Sequence, residues 1–229
     1  MAYFTGALIW KERNAKVNEI FDALPTKNWT GYVAKFLTIV SVVAILECIV
    51  IGAAIVAQSL HGYYNYEFSV YVRELLVLDL LGFSFLIVLF MLVHTLSPNM
   101  YLGFFLSIML VAVNAFIWDP LDISSNMVKF AGVPRYTYSD LYGYAPYVPG
   151  LTWFNAYWIL FSGLLAVGAI CFWVRGNESN WGKRFEIARS EWKNYRVAGF
   201  GLLAVWLVTA GFVFYNTKVL NSKPSSKEQ

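Results

Sequence analysis

The sequence predicts an all-α, polytopic transmembrane helical bundle of about five spans, with amphipathic interfacial helices. Two observations carry this. Residues 36–57, FLTIVSVVAILECIVIGAAIVA, hold a single charge, Glu47, and at least three similar runs follow. A run of that length crosses the hydrocarbon core as a helix, which takes about 20 apolar residues. The chain is also 59% hydrophobic and only 14% charged, too little charge for the surface of a soluble domain of 229 residues.

The spans fall at about 36–58, 75–96, 100–118, 152–174 and 197–215. At ~1.5 Å per residue they cover roughly 28–36 Å, enough to cross with modest tilt. Ser97-Pro98-Asn99 is a turn-forming triplet, so the second and third spans form a tight antiparallel hairpin. Gly199, Gly201 and Gly211 weaken the last span as a helix but permit close packing.

Lys and Arg set the expected orientation. With the N-terminus cytoplasmic, eleven of them lie in inner segments and six in outer segments. Five spans then put residues 216–229 outside as a polar tail or linker, and residues 1–35 inside. The chain begins without a basic stretch leading into an apolar segment and cleavage site, so no signal peptide is read. The net charge of +3 forms no uniformly basic face, so no nucleic-acid partner is expected.

Residues 7–25 read as an amphipathic helix, with Val17, Ile20, Phe21 and Leu24 on one face and Pro25 as terminator. Residues 180–196 place Trp181, Phe185, Ala188, Trp192 and Tyr195 on a stripe, as in a helix lying among inner headgroups. Membrane lipid is therefore an expected partner. The 119–151 loop interleaves prolines with Tyr136, Tyr138, Tyr142, Tyr144 and Tyr147. These tyrosines could bind a sugar or lipid, but the preferred reading is interfacial anchoring. The segment 63–68 resembles a short interfacial helix, with Arg73 near headgroup phosphates. Cys48 and Cys171 are expected as two buried thiols, unbridged.

Little in the chain points to catalysis. It has no His-Glu-x-x-His pair, no phosphate loop and no nucleophile with a plausible base, so it is not expected to be an enzyme or to hold a metal or cofactor. The intramembrane polar residues are Glu47, Asp79 and His94. A charge at the bilayer centre costs at least ~2.5–3.5 kcal/mol, so each carboxylate must face protein or water, or be protonated. One reading is a proton or substrate relay, and the weakest function considered is a proton-coupled carrier centred on Glu47. The preferred reading is a polar contact between helices, with His94 a capping or packing residue.

Residues 10–35, WKERNAKVNEIFDALPTKNWTGYVAK, resemble the coupling segment of type-2 ABC exporter permeases through Glu12, Arg13, Glu19, Ala23, Pro25, Trp29 and Lys35. Asn14-Ala15 stand where a Gly often follows the Arg. Further runs (GYYNYEF at 62–68, YSDLYGY at 138–144, WFNAYW at 153–158, WVRGNESNW at 173–181 and FYNTKVLN at 214–221) are similar to bacterial, Bacteroidetes-like proteins that fuse such a permease to a zinc aminopeptidase-like domain.

The resemblance implies a permease in the bacterial inner membrane, with ATP bound by a separate ABC ATPase subunit rather than by this chain. A second permease half or a homo-oligomer would complete it. Glu12, Arg13, Lys16, Glu19 and Phe21 would face the ATPase from a helix over about 8–24. The peptidase part is absent, so the chain is expected to be a fragment. The alternative is a non-transporting anchor for an external peptidase domain.

Overall fold

A computed structural model describes residues 1–17, 20, 26–123, 125–139, 141–173 and 181–220. Six helices make up most of it: α1 (Ala2–Asn14), α2 (Asn28–Leu60), α3 (Phe68–Leu96), α4 (Met100–Phe116), α5 (Val148–Cys171) and α6 (Trp181–Phe214). Among the described residues the sole β feature is an isolated bridge between Ser139 and Gly143. The all-α class is therefore as expected from the sequence.

Among the described residues four helices are long and apolar enough to cross a membrane: α2, α3, α5 and α6. The 17 residues of α4 form a shorter apolar helix, about 25 Å long. Outward faces carry large apolar side chains, including Ile45, Ile49 and Val56 on α2, Phe105 and Ile108 on α4, and Val208 on α6. A soluble bundle would place polar groups at those positions. Several hydroxyls inside the spans bond to their own helix, as Ser84 does to the Leu80 carbonyl and Ser107 to that of Gly103, although the buried Ser162 hydroxyl has no such partner. Such bonds satisfy a hydroxyl where water is absent. The chain is a membrane-embedded helical protein.

The central element is α3, which touches α1, α2, α4 and α5, while α6 packs mainly along α5. The α3–α4 hairpin is as tight as the turn triplet predicts. Asn99 caps α4, its side chain accepting from the Leu102 N–H at 2.8 Å. This end of the bundle, here the turn end, also holds α1, the start of α2 and the start of α6. The opposite end, the loop end, carries residues 117–123, 125–139 and 141–147.

Several boundaries differ from the sequence expectation. Residues 18, 19 and 21–24 of the helix expected over 8–24 lie outside the described residues; Ile20 is helical, and residues 8–14 belong to α1 (Ala2–Asn14), which begins earlier than expected. That helix stops because Lys16 takes a left-handed conformation (φ 56°). Lys16 N–H then bonds to the Arg13 carbonyl and Val17 N–H to the Glu12 carbonyl, the Schellman pattern that ends helices. Glu19 and Phe21 lie outside the described residues. The expected interfacial helix at 180–196 and the span at 197–215 form one uninterrupted helix, α6. No proline breaks the junction, and Gly199 is accommodated because the Trp192 indole lies over it. The second span begins earlier than expected, at Phe68, and its Val72–Asp79 stretch is π-helical. Residues 63–67 are not helical.

The loop is folded against the bundle. The Asn114 carboxamide bonds to both the N–H and the carbonyl of Phe130, at 2.9 and 3.1 Å. Trp158 Nε1 donates to the Gly132 carbonyl at 2.7 Å, and Tyr157 Oη to that of Met127 at 3.2 Å. Cys171 is buried, whereas Cys48 is exposed on the α2 surface, and no disulfide joins them.

Candidate functional site

Two polar assemblies stand out, one at each end of the bundle. At the turn end, α1 lies against α3 and α4 with Thr5, Gly6, Ile9 and Trp10 buried. The Lys35 ammonium, near the start of α2, is 2.9 Å from the Glu12 carboxylate and donates to the Leu8 carbonyl at 3.2 Å. It also sits 5.6 Å from the centre of the Trp173 ring. Arg13 packs over Trp10 at 5.0 Å. Lys11 and Lys16 are exposed. Glu12, Arg13 and Lys16 thus fall on the last turn and cap of one short docked helix.

His94 is 1% exposed and closes the back of this assembly. A Cβ added at Gly6 would lie 2.6 Å from its ring, and one at Gly103 would lie 2.4 Å from it. The imidazole is therefore sandwiched between α1 and α4 at two positions where only glycine fits. Both ring nitrogens are buried there without a hydrogen-bond partner among the described residues.

Arg184 belongs to the same end. It is 4% exposed, and its guanidinium donates to the Thr95 carbonyl and, at 3.2 Å, to that of Leu96. These are the orphan acceptors at the C-terminus of α3, where a cation also complements the helix dipole. In the sequence Arg184 is one of several basic residues between positions 183 and 196. Its position three residues from Trp181, whose ring its guanidinium covers at 4.9 Å, was the available hint.

At the loop end, the π-helical stretch presents Arg73, Glu74 and Asp79. Hydrogen bonds of the i→i+5 kind set Glu74 and Asp79 one turn apart on the same side. Tyr144 is 2% exposed; its hydroxyl donates to the Glu74 carboxylate and its ring receives the Arg73 guanidinium at 5.5 Å. Tyr136 and Tyr138 pack against the same ring, with centroids 6.0 and 5.3 Å away. Burial and the hydrogen bond to Glu74 push the Tyr144 phenol well above the ordinary tyrosine range. These three tyrosines therefore bind the loop to α3, whereas Tyr142 remains 70% exposed.

Glu47 is half-buried on α2, and Asp79 is exposed on α3. The turn-end residues and these carboxylates are separate groups, and His94 joins the first. Among the described residues no group of three or more His, Cys, Asp or Glu side chains could hold a metal ion.

No family model, curated protein or solved structure matches this chain.

Proposed function

We propose that the chain is the membrane-spanning permease part of an ABC-type exporter, driven by a separate ATPase subunit that grips α1. One observation carries the reading: α1 is keyed to three spans at once. Lys35 ties it to α2, and the His94 imidazole of α3 fills the gap between it and α4. A force applied to α1 would pass into the bundle without being absorbed by a hinge, as a close-packed interior transmits strain. The exposed ammonium groups of Lys11 and Lys16 supply charge for an acidic surface on the partner.

In this reading the protein sits in the bacterial inner membrane with the turn end in the cytoplasm. Five crossings, α4 included, then leave the C-terminus outside. A second permease half or a second copy completes the pathway.

The test is to purify the tagged chain from its native membrane and assay MgATP hydrolysis in the bound fraction. ATPase activity should accompany the wild type. Arg13→Glu with Lys16→Glu should break the dependence of transport on hydrolysis while leaving membrane insertion intact. If no ATPase associates, the exporter reading fails and the chain is better read as an anchor. Cysteine labelling near Met1 and Gln229 tests the topology separately, and both ends on one side would overturn it.

A further inference from the structure

His94 stands two residues before the end of α3, closed off from solvent, with neither ring nitrogen hydrogen-bonded among the described residues. The Ala2 carbonyl, in the first turn of α1, faces the ring outside hydrogen-bonding geometry. Gly6 of α1 presses on one side of the imidazole and Gly103 of α4 on the other. While α1 is docked, the ring can neither turn aside nor reach water.

No counter-ion waits for a charge on that ring. Arg184 of α6 already donates to the carbonyls of Thr95 and Leu96, the two residues that follow His94. On α1 the ionisable groups are the Met1 amine, Tyr3, Lys11, Glu12 and Arg13, and α2 brings Tyr32 and Lys35, whose ammonium is paired with Glu12. At this end α4 offers Tyr101 and α5 offers Cys171. The other described carboxylates here are Glu186, which is exposed, and Glu191, which lines a cleft with Asn194 and Tyr195. Among the described residues the ion pairs are Lys35–Glu12 and Lys129–Asp119, so no carboxylate is joined to His94.

We propose that His94 is an acid-sensitive latch, whose protonation releases α1 from α3 and α4. A neutral ring fits the slot by shape alone. A protonated ring carries a full charge and two N–H donors, and burying these without acceptors is costly. Lifting α1 away opens the ring to solvent. The undocked chain then takes up a proton in the range where an exposed imidazole titrates, around pH 6.5. Proton uptake favours whichever state binds the proton, so undocking gains as pH falls through that range and gains nothing well above it. The latch acts whether or not an ATPase grips α1.

Spin labels at Phe4→Cys and Tyr101→Cys, both exposed positions, report the separation of α1 from α4 by pulsed electron resonance. The full chain is held in an uncharged maltoside detergent, with Cys48 and Cys171 changed to Ala. With His94 in place, a short separation should dominate at about pH 7.5. At about pH 5 a longer one should appear, with the ratio of long to short raised at least about tenfold. His94→Gln is neutral at both pH values and should give the same distribution at each. His94→Ala, smaller still, serves if the glutamine variant does not assemble. A separation that ignores pH while His94 is present overturns the proposal. So does an acid-induced lengthening that persists in His94→Gln or His94→Ala.

Discussion

The Lys35 ammonium reaches from the first turns of α2 to the Glu12 carboxylate at 2.9 Å, joining the end of the N-terminal helix to the start of the first long span. Lys35 is largely buried, whereas the Glu12 carboxylate is partly open to solvent. The pair is thus worth more than a surface ion pair and less than a fully desolvated one. A double-mutant cycle of Glu12→Gln and Lys35→Met should give a coupling energy of about 1–2 kcal/mol in thermal or chemical unfolding. Strict additivity of the two changes would mean that the contact holds nothing together.

The glycine sandwich around His94 makes a sharper demand. Gly103→Ala places a methyl group inside the imidazole's own volume, and Gly6 on the other side prevents the ring from moving away. We expect a loss of about 1–3 kcal/mol, the usual cost of overpacking. The same change made in a His94→Ala background should cost little, because the obstruction is gone. Comparing unfolding midpoints of the four proteins decides it; an equal loss in both backgrounds would place the strain elsewhere.

Arg184 caps a helix belonging to another part of the chain. Arg184→Met keeps much of the side-chain volume but leaves the Thr95 and Leu96 carbonyls without their donor. Amide exchange in residues 96–102 should accelerate, and stability should fall by about 1–3 kcal/mol. Unchanged exchange at the hairpin would show that water or a backbone N–H replaces the guanidinium without penalty.

The Tyr144 phenol gives a pH signature. Its folded value is raised, first by burial and then by the hydrogen bond to Glu74, above the ordinary tyrosine value of about 10. The folded state therefore holds this proton more tightly than the unfolded chain does. The resulting stabilisation is complete below about pH 10 and is lost as pH rises beyond it. An ultraviolet difference titration between wild type and Tyr144→Phe should show the missing phenol only above the range in which exposed tyrosines ionise. A full difference already present within that range would contradict the burial.

Much of the architecture was legible in the residues, and the reasons are local. The α3–α4 turn was readable because Ser97, Pro98 and Asn99 each disfavour helix continuation, and Asn99 does cap α4. The end of α1 was not readable, because Lys16 adopts a left-handed conformation usually left to Gly or Asn. The π-helical stretch was hidden for a similar reason: nothing in VRELLVLD departs from an α-helical pattern. The alignment of Glu74 with Asp79 therefore could not be inferred from spacing.

Glu47, Asp79 and His94 stand out in the sequence as polar residues of apolar runs, and Glu12, Arg13 and Lys16 through the family resemblance, but how they group does not. Arg184 and Tyr144 entered as members of a basic segment and a tyrosine-rich loop, and each proved to be a buried contact with α3. Their partners lie 70 or more residues away in the chain. No periodicity links positions so far apart.

Hydropathy accumulates residue by residue, so the amino-acid order alone was enough to establish a helical protein that lives in lipid, with its long apolar helices and its hairpin. Partner choice among the few polar groups depends on which helices cross and at what depth, and that is a property of the assembled bundle. Packing around α3 therefore decided that Lys35 meets Glu12, that His94 fills the space left by two glycines, and that Arg184 caps the end of α3.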